Sequence, residues 1–365
     1  MSILVFELKK IMYTRTFPLF LLLTILAICG LFIHTVIMQD TARTKKVEPL
    51  STIYQSIIEQ NLEDYAYIQE NGLDPDTLER IATGQELQTN LEMVTNEIQY
   101  SNWTMELLTE RQIYYSAMHY EELGGTFGMS NDEIEAGIEL TSELISLNIA
   151  KEHLDYSTQP PLFMKKVISF FLNSLWYFVF LISLMAYITK ECGGQPKQMV
   201  HALPISETNN ILIKMVALVL AGTTWLVTVF GLSYALPMIF TEPKEFIFSY
   251  PLIHAAGGLV EVSSYLKDTA FMSMSLIIFT CALLLLIAYR FRQTFKTYLV
   301  ISLIFLSYFI VTDVILTPTL YPFTFQTIDR IVLSFQFSPI GEVILLVTAC
   351  LLLYVTITYQ HRRRL

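Results

Sequence analysis

The sequence predicts an all-α polytopic membrane protein with six transmembrane helices, an amphipathic helix before the first of them, and a helical extracellular domain. Three observations carry that prediction. The 365 residues are 53% hydrophobic and only 15% charged, with a mean hydropathy of +0.49, too apolar for a water-soluble chain. Six apolar runs, at 17–38, 167–189, 212–236, 269–289, 297–316 and 341–359, are free of charge at their centres. About 20 such residues cross ~30 Å of hydrocarbon, and a charge at mid-span costs about 2.5–3.5 kcal/mol or more. Lastly, the basic residues segregate. The stretches 1–16, 190–214, 290–296 and 359–365 hold 12 of the 23 Lys and Arg, which places both termini in the cytoplasm.

In chain order, residues 1–16 form the amphipathic helix. Leu4, Val5, Leu8, Ile11 and Met12 gather on one side of it and Glu7, Lys10 and Thr14 on the other, an interfacial pattern. The run 17–38 is too long for a cleaved signal h-region and reads as an uncleaved anchor. Residues 39–166 are one large insertion on the outer side. The stretch 39–160 carries 23 acids against 6 bases, a net −17, while the rest of the chain is net +7. Apolar residues recur at helical spacing, as Tyr54, Ile58, Tyr65 and Ile68, as Leu87, Leu91, Val94 and Ile98, and as Ile134, Ile138, Thr141 and Ile145. "LDPDTLERIATG" predicts a turn, a helix and a stop at its glycine, and "SNDE" at 130–133 a capping box from Ser130 to Glu133. Strand signals are weak. The acids either solvate helix faces or attract cationic ligands such as basic antimicrobial peptides.

Residues 167–365 carry the remaining five spans, with two special connections. Between spans two and three, "KECGGQPKQMVHALPIS" predicts a short helix opened by Pro196 and stopped by Pro204, with Met199, Val200 and Leu203 on one side. Ser206 is a cap for the next span and Lys214 a charge at its inner end. Between spans five and six, 317–340 is too short and aromatic for a soluble domain and reads as an outer re-entrant segment. Asp313 and Glu342 at its two ends are transport-path candidates, because ionisable groups at membrane depth are functional by default.

No chemistry of other classes is written in the chain. The four cysteines have no metal-ligand spacing, and neither GxxxxGK(S/T), HExxH nor GxSxG occurs. No catalytic residue, metal site or nucleic-acid partner is expected, and no cofactor on this chain.

At the connection between spans two and three the chain resembles the permease subunits of type-2 ATP-binding-cassette exporters. Members carry an acid followed shortly by glycine, then an "LP(I/L)S" element, then a lysine opening span three. Here these are Glu191, Gly193 and Gly194, then Leu203, Pro204, Ile205 and Ser206, then Lys214. Cys192 beside the acid and the doubled glycine depart from the common pattern. The resemblance implies that residues 190–210 are a coupling loop seated on a cytoplasmic ATPase, which binds the ATP and magnesium. It implies that 1–16 is an elbow helix, that a second permease copy or a related permease pairs with this one, and that lipids surround both. The expected function is export of a hydrophobic or amphipathic cargo, such as an antimicrobial peptide, drug or lipid, across a bacterial cell membrane. The alternative from another class is a membrane sensor or scaffold, whose helical ectodomain detects a ligand and relays it to a cytoplasmic signalling partner.

Overall fold

The computed structural model of the chain describes the backbone of residues 3–193, 206–241, 248–254, 258–291, 293, 295–304, 332–333 and 339–362. Among them the architecture is almost wholly helical: α1 (Ile3–Tyr13), α2 (Thr16–Ile37), α3 (Gln39–Asn71), α4 (Pro75–Tyr100), α5 (Trp103–Glu122), α6 (Asn131–Leu147), α7 (Pro160–Phe171), α8 (Ser174–Gly193), α9 (Glu207–Phe240), α10 (Val262–Phe291), α11 (Phe295–Ile304) and α12 (Pro339–Arg362). Two three-residue strands, β1 (Pro251–Ile253) and β2 (Leu259–Glu261), pair antiparallel. The chain divides into two compact units, one of 1–31, 164–242 and 264–365, the other of 32–163 and 243–263.

Among the described residues four helices are long and apolar enough to cross a membrane: α2, α9, α10 and the Gly341–Arg362 part of α12. The predicted second span, 167–189, is not one straight helix. It falls across α7 and α8, which meet at a 65° bend. Asn173 makes the break. Its amide donates to Phe170 O at 2.7 Å, and its carbonyl accepts from Leu175 N at 3.1 Å and Trp176 N at 3.3 Å. A side chain that competes for backbone partners in this way caps a helix rather than continuing it. The predicted fifth span, 297–316, is described only as far as Ile304, within α11. Its remainder, with Asp313 and most of 317–340, lies outside the described residues.

The first unit is held by an aromatic core. Trp225 of α9 is fully buried. It stacks on Phe180 of α8 with centroids 5.2 Å apart and planes 13° apart, and meets the ring of Tyr177 edge-on at 5.4 Å and Phe20 of α2 at 5.5 Å. Such aromatic pairs add to plain area burial. Thr16 Oγ1 fastens the start of α2 to α8 by donating to Ser183 O at 2.7 Å. One turn from Trp225, Gly222 lets α9 approach α10 closely, as small residues do between apolar helices. A Cβ there would stand 2.5 Å from Ile277 Cγ2 and 3.2 Å from Phe180 Cζ. Ile277 is fully buried and β-branched, so it has little room to yield. Gly222→Leu is expected to cost about 1–3 kcal/mol by overpacking, read as a lower unfolding midpoint of the detergent-purified chain. An unchanged midpoint would contradict the close packing.

α1 departs from the sequence-based expectation in its orientation. Val5, Phe6 and Met12 are exposed, and the buried residues are Ile11 and the acid Glu7. A buried acid is tolerated where protein partners offset its desolvation, and Glu7 has such partners in Lys10, Lys214 and Tyr187. The acid expected on the outer face therefore points inward.

The second unit is a helical bundle of α3–α6. Its core joins Ile57, Leu87, Leu91, Val94, Ile98, Ile113, Ala117, Tyr120, Phe127 and Ile134. Three local predictions have definite outcomes. The capping box forms as expected, with Ser130 N donating to Glu133 Oε2 at 2.8 Å and Glu133 N to Ser130 Oγ at 3.4 Å. The helix predicted at "LDPDTLERIATG" begins at Pro75, capped by Asp74, but it does not stop at Gly84. Gly84 lies mid-helix against α3, where a Cβ would stand 2.4 Å from Asn61 Oδ1. It serves a close helix crossing, not a C-cap. On α3, Tyr65 is exposed, and the inward line includes Asn61 and Asp64. Asp64 is there because Arg80 of α4 reaches it with Nε at 2.8 Å. At the other end Lys46 joins α3 to Glu106 of α5, at 2.8 Å, and to the carbonyl of Lys151, also at 2.8 Å. The strand pair β1 and β2 belongs to this unit.

The helix caps carry a pH signature. The hydrogen bond from the Thr77 side chain holds the Asp74 carboxyl below its ordinary value of 3.8, and the Ser130 backbone holds Glu133 below 4.5. A depressed carboxylate contributes stability that is present above its ordinary value and is lost as pH falls through the depressed one. Between about pH 5 and pH 2, the midpoint of the wild-type chain is expected to fall more steeply than that of an Asp74→Asn/Glu133→Gln double variant. Parallel slopes in circular dichroism melts would show that these caps contribute nothing through their charge.

Candidate functional site

In the first unit, two ion pairs converge on one residue of α1. Glu7 of α1 is 4% exposed and Lys214 of α9 is 3% exposed. Lys214 Nζ lies 3.4 Å from Glu7 Oε1, and Lys10, one turn along α1, reaches the same oxygen at 3.2 Å. The hydroxyl of Tyr187 on α8 donates to Glu7 Oε2 at 2.5 Å. Lys214 also stands over the Tyr187 ring, 5.7 Å from its centroid. One carboxylate thus holds three donors from three helices, with the tyrosine ring facing one of the ammonium groups.

Local sequence explains each placement. Glu7 and Lys10 sit three apart and share a helix face. Tyr187 lies on the buried side of α8 with Leu184 and Ile188. Lys214 follows Ile211 on the buried side of α9, in step with Leu218 and Ala221. Two buried charges are costly singly and tolerated as a pair with further hydrogen bonds, which Tyr187 and Lys10 supply here.

The cluster brackets the stretch the sequence singled out. Tyr187 lies six residues before Gly193, where α8 ends, and Lys214 follows Ser206, which caps α9 by accepting from Asn209 N at 3.3 Å. Both helical ends of the connection are therefore tied to a single residue of α1. Glu191 and Gly193 lie in the last turn of α8. Gly194, Met199, Val200, Leu203, Pro204 and Ile205 lie outside the described residues, as does Asp313. Glu342 is in the first turn of α12, and its Oε1 is buried with no hydrogen-bond partner among the described residues.

The sequence reading selected Lys214 and missed Glu7 and Tyr187. For Glu7 a signal existed: it is the only acid in the first 16 residues, on a helix otherwise apolar or basic. For Tyr187 nothing in spacing or composition marked it. No group of three or more His, Cys, Asp and Glu able to hold a metal occurs among the described residues. No family model matches the chain, and neither a curated protein nor a solved structure is significantly similar to it.

Proposed function

We propose that the chain is the membrane permease subunit of an ATP-driven exporter of the type-2 ATP-binding-cassette class, working as a dimer with a second copy or a related permease. In this reading six spans cross a bacterial cell membrane with both termini in the cytoplasm, α1 is the elbow helix, and residues 39–166 face outward. A cytoplasmic ATPase seats on residues 190–210 and contributes the nucleotide and its magnesium. The cargo is hydrophobic or amphipathic, a peptide, drug or lipid.

The single observation that carries the reading is the shared carboxylate. Displacement of the connection between α8 and α9 would act on Tyr187 and Lys214 at once, and through Glu7 on α1. A connection built as a passive linker has no need of one buried carboxylate shared by the helices at both of its ends. The pattern Glu191, Gly193, Leu203, Pro204, Ile205, Ser206, Lys214 supports the same reading, as does the lack of a phosphate-binding loop in the chain.

The test is co-purification. The tagged chain, gently solubilised from its native membrane, is expected to bring an ATPase with it, and Glu191→Ala or Pro204→Ala to reduce that recovery at equal permease level. Recovery of a kinase and no ATPase would favour the sensor reading instead. Full ATPase recovery and coupling in both variants would remove the loop from the mechanism.

A further inference from the structure

The second unit carries a surface that none of the foregoing uses. α4 and α5 pack side by side, and hydrogen bonds along their outer seam fix an antiparallel register. Glu79 Oε1 lies 3.3 Å from His119 Nε2, and Glu86 Oε1 accepts from Gln112 Nε2 at 3.4 Å and Ser116 Oγ at 3.1 Å. Seven residues forward on α4 match seven back on α5, so the next step of the same register sets Met93 beside Met105.

That seam is divided along its length. One half holds the acids Glu79 and Glu86, with Glu122 one turn beyond His119. The other half is mostly apolar: Met93 is 43% exposed, Tyr100 82%, Met105 41% and Leu108 37%, with Tyr115 at 51% between the halves and Glu97 as its acid, one turn beyond Met93. Large apolar side chains exposed together and rimmed by charge mark interaction sites. Its charge is one-sided too. Arg80, the basic residue of α4, is turned inward onto Asp64 at 2.5 Å, which leaves Arg111, on the flank beside Tyr115, as the basic side chain bordering the face. From Glu79 to Tyr100 the seam runs along about 31 Å of helix.

We propose that the α4/α5 face docks a cationic amphipathic helix of about 20 residues, its basic end on Glu79, Glu86 and Glu122 and its apolar end on Met93, Met105 and Leu108. Complementarity of charge with an acidic unit speeds and orients the encounter, and the apolar half gives a helical ligand the groove it needs for its own apolar stripe. A third helix laid along two antiparallel ones completes a packing that helices adopt readily.

The proposal does not depend on the export reading, because docking is measured without an ATPase. The full chain in lipid nanodiscs is titrated with a fluorescent designed peptide of about 20 residues built from Leu and Lys, with empty nanodiscs as the blank. Two control peptides replace Lys with Glu or Leu with Ser. Saturable binding of the Leu/Lys peptide, weakened by salt, is expected, with neither control competing. Met105→Ser/Leu108→Ser and, separately, Glu79→Gln/Glu86→Gln are each expected to weaken it about tenfold, a change of about 1.4 kcal/mol. All four substituted residues are at the surface, so circular dichroism should show both variants folded. No binding above empty nanodiscs, equal binding of the Ser/Lys control, or unchanged affinity in both variants would overturn the proposal. So would a chain that self-associates through this face and becomes monomeric in Met105→Ser/Leu108→Ser.

Discussion

Replacing Glu7 by Ala is expected to destabilise the chain by about 3–5 kcal/mol, the cost of stripping the counter-charge from a buried ion. The variant takes the carboxylate away from Lys214, which is 3% exposed and cannot turn to water without moving α9. It also takes the acceptor from the Tyr187 hydroxyl, a bond of 2.5 Å. Lys214→Met should cost less, since Lys10 stays 3.2 Å from the carboxylate and still neutralises it. The decisive variant is the pair. Glu7→Ala/Lys214→Met removes both charges together and is expected to recover part of the loss, because removing a whole buried pair leaves no unpaired charge behind. Unfolding midpoints of the four proteins in one detergent close the cycle. If the losses simply add, the two side chains do not interact and the cluster is an accident of packing.

Trp225→Ala should be nearly as damaging, for a different reason. The indole fills the space between Phe20, Tyr177 and Phe180, and no hydrogen-bond partner of its Nε1 is described. Its removal orphans no polar group, so the whole cost is lost contact and cavity. Burial of an aromatic in a soluble core is worth about 3–5 kcal/mol on truncation. In the proposed membrane setting the solvent-transfer part shrinks, because lipid tails are as apolar as the core. A loss of about 3 kcal/mol, the lower end of that range, is therefore expected. Trp225→Phe, which keeps a ring against Phe180, should lose much less. Equal damage from Ala and Phe would mean that the indole N–H, not the stack, is what matters. The same detergent melts decide it.

Helical class and several local devices could be read directly from the residues, because each depends on close neighbours in sequence. The capping box at Ser130 needs only Glu133, and the core line Leu87, Leu91, Val94, Ile98 needs only its own spacing; all four are buried. What could not be read depends on partners far along the chain. Gly84 resembles a helix stop until Asn61 of α3 is placed against it. Asp64 reads as a surface acid until Arg80 arrives. Glu7 has the spacing of an outward-facing residue, and its partners lie 180 and 207 positions away. Helices apolar enough to cross a membrane add a second difficulty: an apolar stripe on them marks the outside as readily as the inside, so periodicity alone does not give the direction of the face. The bend between α7 and α8 was hidden because Asn is unremarkable at the end of a helix and decisive in the middle of one.

That bend separates two directions within one stretch of chain. Residues 160–193 as one uninterrupted rod would measure about 51 Å, a length that α9 keeps without a break. The amide of Asn173 divides the rod into two arms, so the direction of α8 is set independently of α7. Asn173→Leu would remove the competitor for backbone partners, merge the arms and take that independence away.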